Sequence, residues 1–462
     1  MFAADLYQQR RQRLMQAVGS GLVLLLGHQA SPINFAENLY PFHQDGSFLY
    51  FCGLNQPARV LLLDVDSGRE VLFADETPAE ALVWTGPVPT PAEQAARAGM
   101  DQTRPLEDLS PAIRSGKAGG RPIHYLPPYR PDQLIRLSQL LEIPLSAVAS
   151  GASRVLIDAV VAQRSRKSPE EVAQIEAALA VTARMHIIAM QHSRPGVSEQ
   201  EVVGAMAGVM TSMGARPAFA PIYSVRGEIL HNPTHTHRMI RGDLTVNDSG
   251  AESCLHYASD ITRSLPVGGR FSMRQKELYT LLLQVQQAAI DAVAPGTEYR
   301  QVHQLASFRL AEGLRQIGLL KGNPQEAVAA GAHALFFPHG LGHMLGLDVH
   351  DMESLGEDRV GYGSQMQRST QFGLRSLRLA RRLEPGFVIT VEPGIYFIPA
   401  LMDQWRTQGL HTHFVDYQRL EPYRGFGGMR LEDDLLVTES GRRILGPPIP
   451  KTVAEVEALC SA

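Results

Sequence analysis

Short apolar runs at 22–26, 58–64 and 70–73 alternate with polar segments in the first third of the chain, and turn residues bound each run. That pattern reads as buried strands. Residues 90–99 and 132–141 carry helical spacing, so this part reads as a small α/β domain. Pro105, Pro111, Pro122, Pro127, Pro128 and Pro131 punctuate a looser stretch between them. At 168 the pattern changes. Ser168 can cap a helix, Pro169 fits its first position and Glu171 completes a capping box, while Val172, Ile175 and Leu179 recur at the spacing of a buried helical face. This helix is expected to reach about 193 and stop before Pro195 and Gly196. A second opens at Ser198 and Glu199 and runs through Met210. A boundary between 151 and 167 divides the chain into 1–160 and 161–462, of α/β (α+β) class overall.

The later part of the chain puts charge where strands are expected. Residues 242–263 read as a strand, a hairpin loop and a returning strand, with Asp248 and Asp260 facing each other across it. Aspartate is depleted in strands, so two near paired strand ends need a reason; either turn capping or hard-metal ligation supplies one. In 387–396 a β-branched strand leads into Glu392 and then the breaker Pro393-Gly394. In 429–437 Arg430, Glu432 and Asp434 alternate, which puts them on one face of a strand. Burying that row costs several kcal/mol in desolvation unless the charges pair with one another or surround a cation. The run PHGLGHMLGLDVHD carries His339, His343 and His350. Gly340, Gly342 and Gly346 argue against a regular helix, and the run is expected to form strands and a turn. Taken alone, these histidines fit a structural network as well as a metal or catalytic site.

Composition narrows the function classes. The 462 residues are 44% hydrophobic and 19% charged with a net charge of -4, an ordinary globular balance that favours two domains and points to no nucleic-acid partner. The three cysteines, Cys52, Cys254 and Cys460, are widely spaced and form no CxxC arrangement, which fits a reducing, cytoplasmic compartment. The apolar run 21–27 is too short to span a membrane, and the first residues lack an apolar signal core, so no membrane partner is expected.

The segments HYASDITRSLPVGGRFS, FFPHGLGHMLGLDVHD, LEPGFVITVEPGIY and MRLEDDLLVTESG resemble, in order, the signature segments of the pita-bread metallopeptidases, and specifically the Xaa-Pro aminopeptidases and related prolidases. The resemblance covers roughly 170–450 and extends more weakly to NLYPFHQDGSFLYFCGL near the N-terminus. It implies an N-terminal aminopeptidase P-like domain ahead of a pita-bread catalytic domain. By the same resemblance, Asp248, Asp260, His343, Glu392 and Glu432 are five ligands of two divalent metal ions, with Asp260 and Glu432 bridging. An oxygen-rich set with one imidazole suits Mn²⁺, with Co²⁺ or Zn²⁺ as substitutes, and four carboxylates in one pocket need such cations to stay ionised. The implied reaction is hydrolysis of an Xaa-Pro bond by a metal-bridged hydroxide, releasing the N-terminal residue of a peptide with proline second. His350 is then expected to polarise the carbonyl, His231 to contact substrate and His339 to shape the proline pocket. Glu392 takes the proton of the attacking water, Arg430 orients Glu432 or substrate, and Tyr396 reaches the same pocket. His235 and His237 read as exposed loop residues.

Several features depart from the family pattern. Asp248 and Asp260 are one position further apart than usual, so a longer loop or a bulge is expected between them. Insertions at 352–384 and 397–429 lengthen the chain around Glu392. The first carries Arg359, Arg368, Arg375, Arg378, Arg381 and Arg382 and reads as a solvated flap near the cleft in preference to a nucleic-acid patch. Trp84 matches a family tryptophan near the active site, sometimes that of an adjacent subunit; packing at a domain interface is the alternative. The functional reading of Trp84 carries with it a homodimer or homotetramer. Two other functions remain open, a prolidase acting on dipeptides and a non-catalytic protein that kept the fold.

Overall fold

The computed structural model describes residues 1–364 and 366–461. They gather into two compact units, one made of Met1–Arg164 with Met352–Arg359, the other of Ser165–Asp351 with the chain from Val360 onward. The division falls at the C-terminal end of helix Arg154–Ser165.

The first unit is built on a five-stranded mixed sheet in the order Thr103–Arg104, Arg69–Phe73, Val60–Asp64, Leu22–Leu26, Ile123–Tyr125. Strand Leu22–Leu26 pairs antiparallel with Val60–Asp64 and parallel with Ile123–Tyr125. All five residues of Leu22–Leu26 are buried, which is why the run shows no alternation. Leu24, Leu62, Phe73, Ile113 and Leu137 meet in the core between the sheet and helices Leu109–Ala118 and Pro131–Leu141. Helix Pro91–Arg97 begins with the reciprocal Thr90–Glu93 capping box.

In the second unit, helix Pro169–His192 opens with the expected capping box, Glu171 N–H donating to Ser168 Oγ and Ser168 N–H to Glu171 Oε2 at 3.0 Å. By length and apolar composition it would suffice to cross a membrane. Its buried face shows a core helix instead, because the polar groups there are bonded within the unit: Tyr257 Oη donates to Glu171 at 3.0 Å, and Ala251 N–H donates to Thr182 Oγ1 at 2.9 Å. His186 Nε2 lies 3.2 Å from the Ser249 carbonyl. The helix thereby fixes the ends of the loop between two sheet strands.

Those strands, Leu244–Ser249 and Ile261–Pro266, form a three-stranded antiparallel sheet with Ile222–Ser224. A second sheet joins Val388–Val391, Asp433–Val437 and Arg442–Ile444, and a ribbon pairs Gly394–Tyr396 with Gly428–Arg430. The longer helices Glu199–Ser212, Met273–Ala292 and Tyr299–Ile317 and the last helix, Val453–Ser461, also belong to the unit.

Three local expectations are corrected. In the hairpin, Thr262 and not Asp260 stands opposite Asp248; Asp260 lies just before its strand, on the same face as Asp248 and diagonal to it. The extra length is taken up between 250 and 260, where Ala251–Glu252 pairs with Arg216–Pro217 and Glu252 also bridges to Ala258. Residues 429–437 are not one strand. Pairing passes from the ribbon at Arg430 to the second sheet at Asp433, and Leu431 and Glu432 donate their N–H groups to Pro393 and Thr262 instead. Residues 337–351 form no strand beyond the single bridge Met344 to Ile389. There the glycines let other backbone close in: a Cβ on Gly342 would meet the Thr390 carbonyl oxygen at 2.2 Å, and one on Gly340 would meet the Leu377 Cα at 2.8 Å.

Candidate active site

A cavity of about 290 Å³ opens where these sheet ends and the glycine loop converge. Its lining includes the five expected ligands, Asp248, Asp260, His343, Glu392 and Glu432, and also His231, His339, His350 and Arg430. Asp248 stands near the end of Leu244–Ser249, Asp260 just before Ile261–Pro266, Glu392 just after Val388–Val391 and Glu432 in the break between strands. Each acid therefore sits where the ladder ends and side chains turn inward. Ligand atoms of Asp260, His343 and Glu432 lie within 4.8 Å of one another, and His343 Nε2 is 3.5 Å from Asp260 Oδ2 and 3.6 Å from Glu392 Oε1.

Local hydrogen bonds aim the donors. His343 Nδ1–H donates to the Met344 carbonyl at 3.0 Å, which leaves the Nε2 lone pair facing the acids. The His343 backbone N–H donates to Thr390 Oγ1 at 3.1 Å. Thr262 Oγ1 donates to Glu432 Oε2 at 2.7 Å and accepts from Arg430 Nε at 3.1 Å. Asp434 Oδ2 accepts the Asp260 N–H at 3.0 Å. What remains is a set of buried carboxylate oxygens with no hydrogen-bond partner among the described residues: Asp248 Oδ1, Asp260 Oδ1 and Glu432 Oε1 on the cavity, with Asp434 Oδ1 behind them. Burial, and then mutual repulsion, holds Asp260 and Glu432 well above the usual carboxylate range and pushes Glu392 up to about 7. Burial holds His343 well below the usual histidine range, in its ligating neutral form. Orphaned acid oxygens facing a neutral imidazole are a donor set that divalent cations fit, and ion pairing leaves Glu432 and Asp434 of the charged row unaccounted for.

Around this set the other predicted residues take definite places. Arg430 pairs with Asp248 and donates to Tyr396 Oη at 2.9 Å, so its carboxylate partner is Asp248, and it reaches Glu432 only through Thr262. Tyr396 is fully buried, its hydroxyl 3.0 Å from His339 Nε2; it bonds His339 and Arg430 and stands behind the cavity lining it was expected to reach. His339 Nδ1–H donates to the Gly340 carbonyl at 2.8 Å, and its ring packs edge-on against Phe337 at 4.8 Å. Burial lowers the His339 and His231 pKa values. The ring of His350 lies 4.4 Å from that of His343. Trp84 lies in the first unit on helix Ala79–Thr85, 88% exposed.

The inserted segment is more than a solvated flap. Tyr362, Leu377 and Ala380 form a small buried core, and Ser376 and Arg378 line the cavity. Sequence reasoning missed Arg378 as a site residue, and it missed Thr262, Thr390 and Leu230. Thr262 and Thr390 stand two positions from Asp260 and Glu392, and strand alternation could have found them.

Comparison with known proteins matches residues 173–439, more than half the chain, to metallopeptidase family M24 and residues 7–122 to the aminopeptidase P N-terminal domain. The Xaa-Pro aminopeptidase of Escherichia coli (strain K12) is 32% identical over 99% of this chain and 97% of its own length. The human Xaa-Pro dipeptidase is 30% identical over 98% of this chain and 92% of its own. Among solved structures, zinc-substituted E. coli aminopeptidase P in complex with product superposes with a TM-score of 0.81 at 30% identity, covering 99% of this chain and 98% of that one. Aminopeptidase PepP of Pseudomonas aeruginosa gives 0.80 at 31%, covering 100% and 98%. The chain belongs to metallopeptidase family M24, with an aminopeptidase P N-terminal domain ahead of its pita-bread peptidase domain.

Proposed function

We propose that the chain is an Xaa-Pro aminopeptidase whose five cavity donors, Asp248, Asp260, His343, Glu392 and Glu432, hold two divalent cations. The observation that carries this is the group of three buried carboxylate oxygens without partners, on Asp248, Asp260 and Glu432, around one neutral imidazole. The oxygen-rich set favours Mn²⁺. When bound, such ions supply Lewis acidity toward the peptide carbonyl and make water acidic enough to attack at neutral pH.

The remaining chemistry falls to side chains. Glu392, which lines the cavity beside His343, accepts the proton of the attacking water at a carboxylate oxygen and delivers it to the departing proline nitrogen, a tertiary amide nitrogen with no proton of its own. His350 donates to the carbonyl oxygen as charge develops there. His231 contacts the substrate beside the scissile bond. His339, fixed by Gly340 and Tyr396, presents its ring as one wall for the proline. Arg430 neutralises Asp248 and, through Thr262, keeps Glu432 aimed. Chelator-stripped protein should lose release of the N-terminal residue from Xaa-Pro peptides and regain it with Mn²⁺; activity that neither falls nor returns would refute the proposal.

Arg378 favours a second reading. A guanidinium on the cavity wall beside Ser376 suits the C-terminal carboxylate of a dipeptide, the feature a prolidase must grip. Arg378→Ala separates the two: under the prolidase reading the KM for Xaa-Pro dipeptides rises at least tenfold with tripeptides unaffected, whereas an aminopeptidase cleaves the longer peptides better in both proteins. The proposal also includes a homodimer or homotetramer, supported by the exposed Trp84, and a cytoplasmic site of action, supported by the unpaired Cys52, Cys254 and Cys460.

A further inference from the structure

Glu199 carries a fully buried carboxylate outside the metal set, and the proposed reaction makes no use of it. It opens helix Glu199–Ser212, and its side chain is 0% exposed. Among the described residues, every hydrogen-bond partner of its side chain lies on one loop. Oε1 accepts the Val225 N–H at 2.8 Å and the Ser224 hydroxyl at 3.1 Å. Oε2 accepts the His237 N–H at 3.0 Å and faces His237 Nδ1 at 3.1 Å. One carboxylate thus ties both ends of the segment 224–237, whose middle supplies Leu230 and His231 to the cavity.

A second connection reaches the neighbour of His231. Asn232 Nδ2 donates to Ser224 Oγ at 2.9 Å, so the hydroxyl that bonds Glu199 also holds the residue following His231. Asn232 Oδ1 in turn accepts the Thr234 N–H at 3.1 Å. The segment has no strand of its own between Ser224 and the bridge at Arg238, so these side-chain bonds take the place of a ladder. Hydrogen bonds to a buried carboxylate are charge-assisted and short, and the carboxylate is costly to leave unpaired.

We infer that Glu199 is a positioning residue: by clamping both ends of loop 224–237 it holds His231 against the bound peptide. This rests on the proposed role of His231, but the clamp can be tested apart from it. Hydrogen exchange at the Val225 and His237 amides reads the clamp directly. Glu199→Ala should speed both by at least tenfold, with metal content and the exchange of helix Pro169–His192 unchanged. Glu199→Gln, which is isosteric, keeps one backbone bond and faces an N–H with its own amide at the other, so one end alone should loosen.

Turnover of an Xaa-Pro peptide supplies the second readout. Glu199→Gln should lower kcat/KM about tenfold, and in a His231→Ala background it should add less than twofold, because the loop then has nothing to position. Amide protection at wild-type levels in Glu199→Ala overturns the inference. So does an equal further loss in the His231→Ala background, or loss of bound metal in Glu199→Gln, which would make the residue a general support of the fold. Failure of the wild-type protein to cleave any Xaa-Pro peptide would refute the proposed function and leave the exchange result to decide the clamp.

Discussion

Removing metal should change how stability depends on pH, and the sign follows from the carboxylates. Burial and mutual repulsion raise Asp260 and Glu432 well above the usual range, and Glu392 to about 7 against an ordinary 4.5. A carboxyl whose pKa is raised on folding contributes stability that is complete below its unfolded pKa and lost as pH rises through its folded one. Between pH 5 and 7 the unfolded chain has its carboxyls largely ionised, while the metal-free folded chain still holds protons on these raised acids, on Glu392 up to about 7. Each proton kept costs about 1.4 kcal/mol per pH unit. The buried histidines His186, His303, His333, His339 and His343 have lowered pKa values and act the other way, giving stability that is lost as pH falls below about 6.5. They contribute alike with and without metal, so the difference between the two forms isolates the carboxylates. Cations that replace those protons flatten the dependence. Urea unfolding followed by Trp405, 5% exposed in the catalytic unit, reports it, since the chain's other tryptophan is Trp84. The metal-free protein should lose about 1 kcal/mol more than the Mn²⁺-loaded protein between pH 6 and 7, where Glu392 still keeps most of its proton in the metal-free folded chain. Parallel slopes would refute the assignment of these acids to a cation site.

Glu392→Gln, in protein verified to be metallated, should lower kcat by about 10²- to 10⁴-fold, and a near-normal rate would remove it as the base. Thr262→Val leaves Arg430 Nε and Glu432 Oε2 without their shared hydroxyl; calorimetric titration should show metal affinity weakened about 10- to 100-fold. Gly342→Ala drives a methyl to 2.2 Å from the Thr390 carbonyl oxygen and 2.6 Å from the Tyr299 hydroxyl, so unfolding free energy should fall by about 3 kcal/mol. An unchanged denaturation midpoint would contradict the close packing of the glycine loop.

Local chemistry made parts of this molecule legible in the sequence. The Ser168–Glu171 box placed a helix start, and the apolar run at Leu22–Leu26 placed a strand to the residue. Motif order found the acids and histidines that line the cavity. What stayed hidden depends on pairing between distant segments. The Asp248–Thr262 register follows from how the 250–260 loop folds back on helix Pro169–His192, which no alternation records. Arg430, Glu432 and Asp434 alternate as if on one strand, yet the chain changes ribbon between them because Leu431 and Glu432 bond to other partners. Arg378 was obscured by the arginines around it, although Leu377 and Leu379 beside it are buried. Glu199 showed only as a helix-opening acid, for its partners lie 25 to 38 residues away.

The proposed reaction sets two cations in this cavity to cut the bond before proline. The most direct measurement titrates metal-free protein with Mn²⁺ while following release of the N-terminal residue from paired peptides, Xaa-Pro-Yaa and Xaa-Ala-Yaa. Cleavage of the proline peptide alone is expected, rising until a second equivalent is bound. Equal cleavage of the alanine peptide, or no cleavage at two equivalents, would contradict it.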